Sequence, residues 1–132
     1  MVPRNIKIRK INRSLHTNYL QKATEYRDSM LDNLDKGRFN VAAGDAIHAV
    51  ISASDALLVW LSGKRSASED HEDLVYLLGQ NVNSTANINR VKRVLQVKSQ
   101  VEYGERLFPK RKVEGMVKNA ERFYDFVTSQ IR

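Results

Sequence analysis

The sequence predicts an all-α fold, an up-and-down four-helix bundle with one extra short helix. Apolar residues recur at spacings of three and four over long stretches, which is the period of an amphipathic helix. Glycines stand where several of these stripes stop, as helix C-caps do. Two prolines in 132 residues interrupt few helices. The connections are short, which favours antiparallel neighbours, and we expect no β-strand.

Five stretches fit helices, and stripes and caps set their predicted bounds. The first stripe runs from Leu15 to Leu34 and stops before Gly37. The second helix, Val41–Leu61, is rich in small residues and apolar on nearly every side, which is typical of a central helix. Asn40 is its predicted N-cap. The remaining predicted helices are His71–Leu78, Ala86–Tyr103 and Lys110–Ile131.

The length of the chain suits a single domain. We expect residues 13–132 to form the helical domain. Residues 1–12 form a predicted basic N-terminal arm, in which lysines and arginines alternate with isoleucines. Such an arm is either a mobile end or an extended segment that lies on a partner.

The net charge of +7 is unevenly distributed. Residues 1–40 carry nine Lys/Arg against four Asp/Glu, residues 41–80 two against six, and residues 81–132 eleven against five. A basic chain has affinity for polyanions, chiefly nucleic acid, although +7 is also an ordinary solubility charge for a small domain.

Composition excludes several classes of protein. The absence of cysteine removes disulfides and thiolate zinc sites. The sequence contains no run of 18 apolar residues and so predicts no membrane span. The N-terminus lacks the apolar stretch of a signal peptide. A cytoplasmic location is therefore expected. The three histidines do not form a metal motif, so we predict no metal and no cofactor.

One polar line runs down the otherwise apolar second helix. It consists of Asp45, His48, Ser52 and Asp55, at helical spacing. Burying such groups without partners is expensive. The line therefore faces either solvent or a polar groove, and the groove would be a candidate ligand or dimer site.

Arg65 and His71 lie six positions apart around the predicted start of the third helix. Metal-free RNA cleavage can use a histidine to move a proton and an arginine to stabilise phosphate charge. The two are therefore candidate catalytic residues. The alternative is that His71 is only a neighbour of a helix cap, among acids that suit a helix N-terminus.

Two clusters of cations are candidate nucleic-acid contacts. The first cluster lacks nearby acids, and the second stands at a helix N-terminus, where the helix dipole disfavours positive charge. The residues are Arg90, Lys92 and Arg93 in the fourth helix, and Lys110, Arg111 and Lys112 at the start of the last. A solvated surface explains them equally well.

Two segments of the chain resemble the HEPN domains, named for nucleotide binding in higher eukaryotes and prokaryotes. The segments are AIHAVISASDALLVWLSGKRSASEDHEDLVYLL and LQVKSQVEYGERLFPKRKVEGMVKNAERFYDFV. The matching positions are Leu57, Leu61, Gly63, His71, Leu95, Lys98, Glu102, Tyr103, Ala120, Phe123 and Phe126. The resemblance covers residues 40–132 and implies a helical bundle that is often dimeric.

The resemblance also implies where a nuclease pair would stand. In family members that cut RNA, an arginine and a histidine occupy the segment that here contains Lys98 and Tyr103. Lysine lacks the planar two-point contact of arginine with phosphate, and tyrosine is a poor base at neutral pH. A relocated site could instead bring Arg65 and His71 into the groove of the second helix, with Lys98 and Tyr103 opposite.

Three functions remain open from the sequence. The first is a dimeric module that binds nucleic acid or a nucleotide without catalysis. The second is a metal-independent endoribonuclease of toxin or defence type that uses Arg65 and His71. The third is an interaction subunit that partners a nucleotidyltransferase. We expect a homodimer and no membrane.

Overall fold

The computed structural model describes residues 5–131 and is 76% helical. The predicted all-α bundle is confirmed. In chain order, the elements are β1 (Ile8–Lys10), a 3₁₀ turn (Arg13–Leu15), α1 (His16–Asp35), α2 (Phe39–Ser62), β2 (Lys64–Ser66), α3 (His71–Asn81), α4 (Thr85–Leu95), α5 (Lys98–Tyr103) and α6 (Lys110–Gln130). Residues 1–4 of the predicted arm and Arg132 lie outside the described residues.

α2 is the central helix, as its composition predicts. It packs against α1 on one side and α6 on another, and α6 also packs against α4. Fourteen of its residues are buried, and its alanines let the neighbouring helices approach closely. Among the described helices, α2 alone is long and apolar enough to cross a membrane, and 67% of that window is buried inside the bundle.

Two predicted helix boundaries are wrong. Asn40 lies inside the first turn of α2, which begins at Phe39. Its Oδ1 instead accepts the backbone N–H of Phe108 at 3.0 Å and so fastens the loop before α6. α3 continues through Gly79 to Asn81, because a glycine is tolerated in a helix whose other residues pack well.

The structure contains a short antiparallel ribbon where no strand was expected. β1 pairs with β2 in the register Ile8↔Ser66, Arg9↔Arg65 and Lys10↔Lys64. The reason for the ribbon is local. Gly63 ends α2 with φ of 67°, a left-handed C-cap, and turns the chain directly back past the N-terminal segment. Residues 8–10 therefore lie on the chain's own bundle.

The predicted fourth helix breaks into α4 and α5 at residues 96–97. α4 buries Val91, Val94 and Leu95. A continuous helix would place Lys98 on that same apolar stripe, and burying a lysine there is expensive. The break buries Val97 instead and leaves Lys98 half-exposed.

A candidate binding cavity between α3 and the α4–α5 segment

An open cavity of about 1180 Å³ lies between α3 and the α4–α5 segment. Predicted site residues line both walls. The α3 wall includes His71, Val75 and Tyr76, and the opposite wall includes Lys92, Lys98 and Tyr103. His71, Lys92, Lys98 and Tyr103 were singled out in three different predicted sets, and the fold brings them to one place.

The start of α3 fixes His71 at the edge of this cavity. Asp70 is the N-cap, and its Oδ1 accepts the backbone N–H of Glu72 at 2.9 Å. Glu72 and Asp73 lie in the first turn, where negative charge is favourable to the helix dipole. His71 therefore stands on a well-capped helix end. The prediction of a helix beginning at His71 is confirmed.

The electrostatic surroundings of His71 favour its neutral form. Partial burial is the largest cause of a lowered pKa, and the positive charge of Lys98 lowers the pKa further. Asp70 and Glu102 act in the opposite direction and do not overcome these two effects. At neutral pH, the imidazole can therefore accept a proton or a hydrogen bond.

The break between α4 and α5 shapes the opposite wall. It lets α5 turn Lys98 toward the cavity, with Tyr103 at the far end of the same short helix. Tyr103 is 83% exposed, and Leu107 just beyond it is 82% exposed. An aromatic ring this exposed offers an open face for stacking.

The cavity carries charges of both signs. Lys92 and Lys98 lie on the α4–α5 side, and Glu69, Asp70 and Glu72 lie on the α3 side. Glu102 adds a carboxylate beside Tyr103. Such a lining suits a ligand that has both an anionic group and hydrogen-bond donors.

Arg65 does not line this cavity. Its guanidinium makes an ion pair with Asp55 at 3.3 Å and lies 5.4 Å above the ring of Tyr19. The structure therefore places Arg65 in the interface of β2 with α1 and α2, and His71 at the cavity. It does not bring the two predicted catalytic residues together in one site.

Burial dominates the chemistry of Asp55, whose side chain is 7% exposed. Loss of hydration raises the pKa of Asp55 to about 6, although Arg65 and Lys22 pull it down. Arg65 thus serves as the partner of a buried carboxylate, and its charge is already partly neutralised.

The polar line on α2 lies along the edge of the α1–α2 interface. Ser29 Oγ and Asn33 Nδ2 of α1 donate to Asp45 Oδ2 at 2.6 and 2.9 Å. His48 stacks on Tyr26 with ring centroids 5.0 Å apart. Ser52, the third member of the line, is buried in the same helix.

The structure therefore does not place Lys98 and Tyr103 opposite this line across a groove, and the prediction is corrected. Those two residues belong to the cavity at α3. Asp45 pairs with polar residues of α1 and Asp55 pairs with Arg65, whereas His48 is exposed beside Tyr26.

The predicted nucleic-acid contacts divide by location. Lys92 lines the cavity, Arg93 is exposed beside it, and the half-buried Arg90 donates to Asn87 Oδ1 at 2.8 Å. The three predicted contacts of α6 are all exposed in its first turn, and Lys112 Nζ lies 5.0 Å from the ring of Phe108. They are Lys110, Arg111 and Lys112.

Sequence reasoning did not assign Tyr76 to any site, and it named Glu102 only as a position that matches the family. Tyr76 and Glu102 both line the cavity. The signal for Tyr76 was its spacing of four from Glu72, since residues four apart lie on one face of a helix and both line the cavity. Within residues 5–131, no group of three His, Cys, Asp or Glu side chains could hold a metal ion.

The fold and the cavity together define an all-α bundle with a mixed-charge cavity along its short third helix. The family model of the HEPN domain matches residues 17–130. The chain therefore belongs to the HEPN domain family, a family of nucleotide- and RNA-related helical domains that often dimerise. No curated protein matches the chain.

Proposed function

We propose that this chain binds a single-stranded RNA segment or a nucleotide in the cavity between α3 and α4–α5. The observation that carries the proposal is the placing of Lys92, Lys98 and the exposed Tyr103 on one wall, facing His71. Binding rather than catalysis is the function that this geometry supports best.

Each part of a nucleotide has a suitable counterpart in the cavity. Phosphate oxygens can accept hydrogen bonds from the two lysines. A base can stack on the face of Tyr103, which is worth about 1–3 kcal/mol per base in single-strand binding. Glu69 and Glu102 can accept hydrogen bonds from base amino groups or ribose hydroxyls.

The mixed charge also argues for an unpaired strand. An RNA duplex engages its Watson–Crick edges in base pairs and offers side chains chiefly phosphates and 2′-hydroxyls, and the carboxylates of the cavity would repel the phosphates. An unpaired nucleotide presents base donors as well as phosphate, so it can use both signs of charge. This is why the proposal names a single strand.

One observation favours RNA cleavage as a second candidate function. The lowered pKa of His71 beside Lys98 provides a neutral base next to a cation, as proton abstraction and phosphate stabilisation require. The version of this hypothesis that uses Arg65 is weaker, because Asp55 already engages that guanidinium.

The test is a titration of fluorescently labelled 12-nucleotide RNA and of a mononucleotide in EDTA. Lys98→Gln and Tyr103→Ser should weaken binding of both ligands. Lys118→Gln and Leu107→Ser are matched controls, since both residues are exposed and neither lines the cavity. If the controls weaken binding as much as the cavity variants, the proposal is wrong.

The same samples test cleavage. RNA that remains intact supports binding alone. Cleavage that His71→Ala abolishes, with folding intact by circular dichroism, would establish the second candidate. Cleavage that survives His71→Ala would contradict both assignments of His71.

The predicted partners remain predictions. A homodimer is compatible with the exposed Tyr103 and Leu107, and light scattering on a size-exclusion column tests it. A nucleotidyltransferase partner and a cytoplasmic location have no specific support in the geometry of the described residues.

A further inference from the structure

The ribbon of β1 and β2 pairs like charges on both of its faces. Arg9 lies directly opposite Arg65, and Lys10 lies directly opposite Lys64. Side chains of directly opposed residues share a face, and like charges in such positions are destabilising. Repulsion between these opposed cations therefore destabilises the ribbon.

The ribbon is held firmly despite this repulsion. Ile11 N donates to Gly63 O at 2.8 Å, and Ala67 N donates to Lys7 O at 2.9 Å, one at each end. Arg13 Nε donates to Trp60 O at 2.8 Å, next to the turn. The cations are thus displayed on an ordered surface and not on a loose arm.

Neighbouring acids neutralise only one of the four charges. Asp55 pairs with Arg65. Within residues 5–131, no carboxylate lies within ion-pair distance of Arg9, Lys10 or Lys64, and all three side chains are exposed. The exposed Lys7 continues the same segment. Within the described part of the chain, three of the four ribbon cations are therefore exposed without an acidic partner.

We propose that this ribbon binds the phosphate backbone of single-stranded nucleic acid, at a site separate from the cavity. A polyanion would relieve the repulsion between the paired cations and would release counterions from the strand. β2 ends at Ser66, and four residues separate it from the start of α3 at His71. A strand bound on the ribbon can therefore continue toward the cavity.

The ribbon suits a nucleic acid better than a membrane surface. Its cations project from both faces, so a flexible strand can meet them and a flat bilayer surface meets only one face. Among the side chains of the two strands, Ile8 is the only large apolar one, and it is 45% exposed. Membrane-surface binding usually needs a broad apolar face beside the cations.

The test compares two triple variants that remove the same charge. Arg9→Gln/Lys10→Gln/Lys64→Gln removes the ribbon cations. Arg38→Gln/Lys118→Gln/Arg122→Gln is the matched control, since those three residues are exposed and lie outside the ribbon. Binding of a labelled 20-nucleotide RNA is measured by fluorescence anisotropy from 0.05 to 0.5 M NaCl.

The ribbon variant should lose three phosphate contacts. Each contact with a single strand contributes about 0.7 to the slope of log K against log salt, so the slope should fall by about 2. At 0.1 M NaCl, this corresponds to about 100-fold weaker binding. An unchanged slope, or an equal loss in the control, would overturn the proposal.

A second variant separates binding from folding. Lys64→Glu places an acid opposite Lys10 and should raise the melting temperature while weakening RNA binding. A lowered melting temperature or undiminished binding would contradict the proposal. Anionic vesicles containing phosphatidylserine form a separate arm, and ribbon-dependent binding to vesicles but not to RNA would assign the surface to lipid.

The proposal of a cavity site and the proposal of a ribbon site are disproved by different results. A mononucleotide reports on the cavity, so the ribbon variant should bind it with wild-type affinity. If the protein binds no mononucleotide but its RNA binding depends on the ribbon cations, the cavity proposal fails and the ribbon proposal stands. Equal loss of mononucleotide and RNA in the ribbon variant would show that the ribbon is not a separate site.

Discussion

Replacing Asp55 by asparagine should change how the stability of the protein depends on pH. Burial raises the pKa of Asp55 from 3.8 to about 6. Because each pKa unit corresponds to about 1.4 kcal/mol, ionisation of this carboxyl in the folded state costs about 3 kcal/mol relative to the unfolded chain. Arg65 reduces the cost without removing it.

The sign of the effect follows from proton binding. Between pH 3.8 and about 6, the folded protein keeps the proton on Asp55 and the unfolded chain loses it. The contribution of this group to stability is therefore full below pH 3.8 and is lost as the pH rises through about 6. The asparagine side chain of the Asp55→Asn variant cannot ionise, so the stability of the variant does not fall in this way as the pH rises.

The assay is urea denaturation of both proteins at several values of pH from 4 to 8. The unfolding free energy of wild type minus that of Asp55→Asn should fall by up to about 3 kcal/mol between pH 4 and pH 7. Asp125→Asn, at an exposed position of α6, is the control. A difference that stays flat or rises with pH would refute the reasoning.

Three further predictions concern single residues. Lys98→Gln should raise the pKa of His71, because it removes a positive charge that lowers it; NMR titration of the imidazole measures this, and an unchanged pKa would show that the two do not interact. Gly63→Ala should lower the unfolding free energy by about 1–2 kcal/mol in urea, since alanine disfavours φ of 67° and its Cβ would lie 3.3 Å from Arg13 Cγ. Ser84→Ala should cost about 1 kcal/mol in the same assay, because the Ser84 hydroxyl caps α4; a change below about 0.3 kcal/mol would show that water replaces the cap.

The periodicity of the sequence predicts the helices well because burial of one apolar face is what stabilises each of them. The small residues of α2 predict its central place for the same reason. The break at residues 96–97 could not be predicted, because Val97 and Lys98 compete for one buried position and only the surrounding packing decides between them. The ribbon escaped prediction because three-residue strands leave little periodic signal.

The candidate site was harder to predict than the fold. His71, Lys98 and Tyr103 were each identified, but sequence spacing cannot show that α5 turns toward α3. The sequence spacing correctly predicted that four polar residues form one line along α2. Ser29 and Asn33 of α1, which pair with Asp45, are 16 and 12 residues from it, and nothing in a helical pattern tells a polar contact between helices from an open groove.

The most direct test of the central claim is an NMR titration of the isotopically labelled protein with a single-stranded RNA. Saturable shifts should concentrate at His71 and Tyr103, and Lys98→Gln should weaken them while Lys118→Gln leaves them unchanged. Shifts confined to the α1–α2 interface around Asp45 and His48, or no saturable shifts at all, would contradict a binding site between α3 and α4–α5.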